Sequence, residues 1–179
     1  FRSMDSDGAE IWCNHCGKKY FMDEYGRLHA NQGETEFPHI PDWYEFERAR
    51  VKKEIQDNTY SYEDKVLIES LPNARGYIKL GEGYLKHTKE GFVLQGRENQ
   101  KAFELVIDPL SLYSLHIEYN YKNKGDCIDL STLNDTYYIY PQTKPWVTKL
   151  HFAVEELYKI EKEKLDLKKL QNSKIETEI

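Results

Sequence analysis

The stretch "TYYIYPQTKPWVTKLHFAVEELYKIEKEK", residues 136–164, changes period in its middle. Thr136 to Pro141 is β-branched and aromatic, the composition of a strand. Pro145 then opens a helix in which Trp146, Leu150, Ala153, Val154 and Leu157 share one apolar face. A strand, a proline break and an amphipathic helix, in that order, put a helix at the end of a β-rich region. Its apolar face has to be covered by a sheet.

The residues before that stretch supply the sheet. Candidate strands are "KVLIESL" (65–71), "GYIKL" (76–80), "GYLKH" (83–87), "GFVLQG" (91–96), "AFELVI" (102–107), "LYSLHIEYNY" (112–121), "CIDLST" (127–132) and "TYYIYP" (136–141). Short polar connections such as "TKEG", "GRENQK", "NKGD" and "LND" separate many of them, with the length and composition of hairpin loops. Gly76, Gly81 and Gly83 read as permitting a bend or bulge. The expected fold is therefore α+β: a pleckstrin-homology/GRAM-like, seven-stranded antiparallel barrel over residues 59–162, its open end plugged by the C-terminal helix. A plain sandwich is the alternative. The charged segment 163–179 lacks a sustained stripe and is expected to be a fraying extension of that helix or disordered.

Further upstream, "PHIPDWYEFERARVKKEIQ" predicts a connecting amphipathic helix over 39–58, with Pro41 in its first turn, acids early and bases late. Residues 1–38 are too short for a core of their own and carry Cys13 and Cys16 in Cys-x-x-Cys spacing, followed by Gly17. Such a turn offers two thiolates to one zinc while backbone N–H groups point at the sulfurs. A redox pair would need a strand-to-helix context, and here a hairpin follows. The pair reads as one knuckle of a partial zinc ribbon, hence a structural half-site. "MDSDG" (4–8) echoes "MDEYG" (22–26), each after a Phe, and the same offsets place a second Cys-x-x-Cys upstream of Phe1. The expectation is that zinc is held only if that upstream knuckle is present. His15, His29 and His39 are weaker substitutes, each also readable as a turn or surface residue.

Composition bounds the rest. The 179 residues are 39% hydrophobic and 31% charged, with net charge -6, so nucleic acid is repelled and is not an expected partner. No apolar run reaches the ~20 residues that span a bilayer. The expected location is cytoplasmic, or peripheral at a membrane. Aromatic and lysine residues interleave in "YNYKNK", as in single-strand nucleic-acid binders, but in an acidic chain core and edge packing accounts for them better. Lys86, Lys89, Arg97, Lys101, Lys122 and Lys124 fall near predicted loops and are candidates for contact with anionic lipid headgroups, diluted by Glu90 and Glu98. Cys127 reads as a buried structural thiol, His116 as a sheet residue and His151 as a helix boundary position. The pairs Glu45/Glu47, Asp126/Asp129 and Glu155/Glu156 read as solvated faces.

At "GETEFPHIPDWYEFERARVKKEI" (33–55), "SLPNAR" (70–75) and "SLYSLHIEYNYKNKGDCIDLSTLNDTYYIYP" (111–141) the sequence resembles the C-terminal region of bacterial 1-acyl-glycerol-3-phosphate acyltransferase-like proteins. In those proteins an acyltransferase domain precedes a cysteine-paired segment and a region like this one, and the resemblance runs to about Lys162. The domain's motif is His-x4-Asp, whose His acts as general base on the glycerol hydroxyl. Here the six His are followed at that position by Tyr20, Glu34, Tyr44, Phe92, Tyr121 and Glu156, so no catalytic residue carries over. The resemblance implies a noncatalytic accessory region that positions an upstream acyltransferase domain, of phospholipid synthesis, toward a membrane or partner. The alternative is a free-standing adaptor that binds a protein or peptide.

Overall fold

The structure is a computed structural model and describes residues 3–72 and 75–177, with side chains through residue 171. Phe1 of the first pentapeptide echo, Asn73 and Ala74 of "SLPNAR", and the tail side chains from residue 172 lie outside the described residues. The chain divides into two compact units, residues 1–51 and 52–179.

The first unit holds a four-stranded antiparallel meander, β1 (Met4–Asp7), β2 (Glu10–Cys13), β3 (Lys19–Met22) and β4 (Leu28–Ala30), in sequence order, followed by most of α1 (Ile40–Gln56). Alternation decides which side chains go inside: Tyr20 on β3 and Leu28 on β4 are buried, while Phe21 between them stays half exposed. Trp43 packs edge-on to Tyr20 at 5.4 Å and beside Phe37 at 5.3 Å, and Phe37 meets Phe46 at 4.9 Å. The Glu36 carboxylate ties this layer together by accepting from Tyr20 Oη (2.7 Å) and Lys18 Nζ (2.5 Å).

The Met-Asp-x-x-Gly echo repeats only in part: both methionines lie in strands and Gly8 and Gly26 both turn with positive φ, but the aspartates differ. Met4 starts a strand and Asp5 lies within it, whereas Met22 ends a strand and Asp23 caps the following turn, its Oδ1 accepting from Tyr25 N and Arg27 N at 2.9 Å each.

The second unit is a seven-stranded antiparallel sheet: β5 (Tyr62–Ser70), β6 (Ile78–Thr88), β7 (Gly91–Glu98), β8 (Lys101–Ile107), β9 (Ile117–Glu118), β10 (Cys127–Ser131) and β11 (Thr136–Pro141). Its order is β8-β7-β6-β5-β11-β10-β9, so the first strand of the meander pairs with the last, Ile68 facing Ile139. Inward positions recur every second residue, as Val66 and Ile68, Leu85 and His87, Phe92 and Leu94, Ile128 and Leu130. Helix α2 (Val147–Thr177) contributes its own buried face, Val147, Leu150, Ala153, Val154 and Leu157. The link from β11 to α2 is held by Asp64, whose carboxylate accepts from Thr143 N (2.9 Å), Thr143 Oγ1 (2.5 Å) and Lys144 N (2.7 Å).

Two expectations change. The sheet is open: β8 and β9 are edges, because the aromatic segment 112–121 makes only the two-residue β9 and cannot ladder with β8. Its remaining residues turn, with Asn120 in the left-handed region. The separate strands expected at 76–80 and 83–87 are one eleven-residue strand, with a register shift opposite Ile68/Glu69 in place of a break. Of the two forms expected for the segment from 163, α2 extends through it as helix to Thr177. Among the described residues no helix is long and apolar enough to cross a membrane.

Candidate functional site

In the first unit Cys13 ends β2 and Cys16 lies in the turn to β3. Gly17 has φ +73°, and its N–H bonds Cys13 O at 2.8 Å, closing a tight loop. The backbone N–H of Cys16, then that of His15, and the Cys16 thiol point at the Cys13 sulfur and lower its pKa. Oriented amides around a sulfur favour a thiolate, the form that ligates zinc. The donor set fits half of a tetrahedral zinc site. Among the described residues no third His, Cys, Asp or Glu joins the pair. His29 instead bonds Asp23 Oδ2 at 2.8 Å, and His39 forms a bridge to Arg27 and caps the start of α1 through its carbonyl. β1 runs beside the pair: Met4 pairs with Cys13, and Asn14 N donates to Ser3 O at 2.6 Å.

In the second unit the six basic candidates do not form one surface. Lys86 is paired with Glu63 at 3.4 Å, and Lys89 on the β6–β7 turn reaches Asn58 Oδ1 at 3.5 Å. Arg97 and Lys101 flank the β7–β8 hairpin at the other end of the sheet. Lys122 and Lys124 belong to the loop between β9 and β10. This loop lies against the outer face of β5 and β11, where it is tied into an aromatic lattice. Tyr121 stacks on Tyr138 at 5.4 Å, Tyr77 packs edge-on to Tyr138 at 5.2 Å, and Lys122 Nζ sits 2.7 Å from the Tyr77 ring centroid. The hydrogen bond between the Tyr77 and Tyr121 hydroxyls (2.7 Å) lowers the Tyr77 pKa and raises that of Tyr121 to about 12. Lys124 meets the buried carboxylate of Glu69 at 2.5 Å, and Tyr140 Oη donates to the same group at 3.2 Å. Burial alone raises the Glu69 pKa; Lys124 and Tyr140 outweigh it and hold the carboxyl low. Asn120, Lys122 and Asn123 all have positive φ, and this cross-linking holds them there.

Other groups weighed on the sequence resolve individually. Cys127 is buried, and burial first, then nearby carboxylates, push its thiol up to about 12, so it is no nucleophile at neutral pH. His116 is exposed, its Nδ1 2.8 Å from Asp129 Oδ2, and His151 Nδ1 donates to Leu115 O at 2.8 Å. Two of the supposedly solvated carboxylates are buried. Glu156 is ion-paired with Lys159 (2.7 Å) and Lys52 (3.6 Å), and Asp126 accepts from Asn120 N at 3.1 Å. The helix and loop patterns around them carry no mark of these partners.

Sequence reasoning missed His87. It alternates inward on β6, stacks on Phe92 with centroids 3.9 Å apart, and its Nδ1 lies 2.8 Å from Tyr60 Oη. Full burial lowers its pKa to about 3, so the ring is neutral with Tyr60 donating. Strict alternation from Leu85 was the available signal. No protein-family model, curated protein or solved structure matches the chain.

Proposed function

We propose that this chain is a noncatalytic accessory region made of a zinc-ribbon-like unit and a pleckstrin-homology-like unit. It serves an acyltransferase of phospholipid synthesis by positioning its catalytic domain toward a membrane or partner. The observation that carries this reading is where the reactive groups are engaged. Asp64 holds the β11–α2 link, Glu69 binds Lys124 and Tyr140, Glu156 pairs with two lysines, and His87 is sealed against Phe92. These contacts serve folding, and none converges on a cleft as acid–base catalysis requires. The pleckstrin-homology-like assignment is supported by the first strand of a seven-strand meander pairing with the last and by a helix that follows directly. The partner domain rests on the sequence resemblance. The zinc role is supported by the amides around Cys13 and by the run of Ser3 and Met4 beside the knuckle, which lets residues preceding them supply the other ligands.

Assayed alone with acyl-CoA or acyl carrier protein and lysophosphatidate, the chain is expected to transfer no acyl group; clear turnover sinks the proposal. Zinc content is expected to rise when the chain is extended upstream, and equal content in both forms removes the zinc role.

The adaptor reading has one specific observation in its favour. β8 is a seven-residue edge whose outward Val106 is 60% exposed, a template on which an extended peptide adds a strand. Recovery of one protein partner without vesicles, lost on Val106→Pro, favours it.

A further inference from the structure

The three loops at one end of the seven-stranded sheet converge. Ser70 Oγ donates to Asp135 Oδ1 at 3.1 Å and Leu71 N to Thr136 O at 2.9 Å, which joins the start of the β5–β6 connection to the β10–β11 hairpin. The Phe103–Tyr137 stack, centroids 5.5 Å apart, brings the β7–β8 hairpin to the same place. α2 leaves from the opposite end, after Pro141.

Two kinds of side chain gather at this loop end. The first is apolar and presented to solvent. Leu133 at the hairpin tip is 102% exposed, and Ile78 at the start of β6 is 48% exposed. The tip cannot fold back readily: Thr132 Oγ1 accepts from Asp135 N (3.0 Å) and Thr132 N donates to Asp135 O (2.7 Å). The second kind is cationic. Arg75, Lys79, Arg97 and Lys101 are exposed and form no ion pair among the described residues, unlike Lys52, Lys86, Lys124, Lys149 and Lys159 elsewhere in the unit. The acids at this end include Glu98, opposite Lys101 in the hairpin, Asp135, which takes the Ser70 hydroxyl, and Glu69, opposite Lys79 in register but buried and paired with Lys124. The chain as a whole carries -6, so an approach to an anionic surface needs a local cluster of cations such as this end presents.

We infer that this loop end docks on an anionic phospholipid bilayer, with Leu133 entering the interface while Arg75, Lys79, Arg97 and Lys101 meet headgroup phosphates. The inference rests on the membrane clause of the proposed function and selects the surface that performs it. A single aliphatic tip ringed by unpaired cations suits a bilayer, where each component binds independently. A protein interface would want a continuous apolar core.

The test is co-sedimentation of the 179-residue chain with vesicles of phosphatidylcholine alone and of phosphatidylcholine with phosphatidylserine, at low and high salt. Binding is expected only to the mixed vesicles, weakening with salt. Arg97→Glu with Lys101→Glu is expected to weaken it about thirtyfold or more, from the contribution of each basic residue, and Leu133→Asp about tenfold. Lys168→Glu with Lys169→Glu on α2 is a charge-matched control expected to leave binding unchanged, and all variants should keep the parental thermal midpoint. Equal losses in the control and the loop-end pair overturn the inference but leave a membrane role standing. No binding to either vesicle overturns both, and capture of a protein by an otherwise vesicle-inert chain transfers the function to an adaptor.

Discussion

The two units are stabilised by different means. In the second, apolar side chains from Tyr60 through Leu157 bury completely between sheet and helix, and the polar groups among them are matched one by one. In the first, Tyr20, Leu28 and Val51 are the buried apolar side chains among the described residues, and the rest of its cohesion is an aromatic layer and the Lys18–Glu36–Tyr20 contacts. A core that small falls short of what a chain of this size needs to offset its conformational entropy. Small β-modules make up the difference with a cross-link or a metal. The contrast gives the cysteine knuckle a physical reason to exist: it lies in the unit that lacks a core.

The largest expected effect breaks the comparison directly. In a zinc-loaded chain extended upstream, Cys13→Ser is expected to unfold β1–β4, since structural zinc contributes on the order of 10 kcal/mol, while the second unit's amide NMR spectrum stays unchanged. A dispersed β1–β4 spectrum in that variant shows the first unit needs no metal. Next is Phe152→Ala, which empties a fully buried site on α2 and should cost about 3–5 kcal/mol in urea unfolding. A much smaller loss means the second core is less continuous than its burial implies.

Third is pH. His87 has a folded pKa of about 3 against 6.5 in the open chain, so the folded state binds fewer protons. Stability is full above 6.5 and falls toward 3 by roughly 1.4 kcal/mol per pH unit from this group. Replacing His87 by Leu together with Tyr60 by Phe, so that no hydroxyl is orphaned, should flatten that slope in the second unit alone. The smallest effect belongs to the first unit. Lys18 first, then Tyr20, lower the Glu36 pKa from 4.5 to about 2. Its contribution is present above 4.5 and is lost as pH falls through about 2. An NMR titration of Glu36 should find the midpoint near that lower value, and Lys18→Met should move it up.

Much of the second unit was legible in the sequence because hairpin loops and period-two burial leave a local mark. The fused β6 and the broken 112–121 segment were not. Gly81 and Gly83 suggest a bend or bulge between two strands, yet one strand passes through them, with Leu80 left unpaired where Ile68 faces Gly81 and Glu69 faces Lys79. "LYSLHIEYNY" has the composition of a strand, but its tyrosines serve across the sheet: Tyr121 stacks on Tyr138, 17 positions away in the chain. That partnership is a tertiary fact with no periodic signature. At the candidate site the Cys-x-x-Cys spacing was visible in the sequence, while the Met-Asp-x-x-Gly echo hides a local difference: Asp5 lies within a strand and Asp23 caps a turn. The basic residues were visible, but which ones are already paired was not.

Gly83 and Gly96 sit on neighbouring strands over the Ile68 side chain. A methyl on Gly83 would strike Gln95 O and Ile68 Cδ1, and one on Gly96 would meet the Phe103 ring at 2.7 Å and Ile68 Cδ1 at 2.9 Å. In a saturating mutational scan Gly83, which faces backbone, should tolerate almost nothing, the profile usually taken as the mark of an active site, while Gly96 faces only side-chain ends that can shift. Here such intolerance would record only the closeness of two strands, and depth of selection at a residue would be a poor guide to chemistry in this protein.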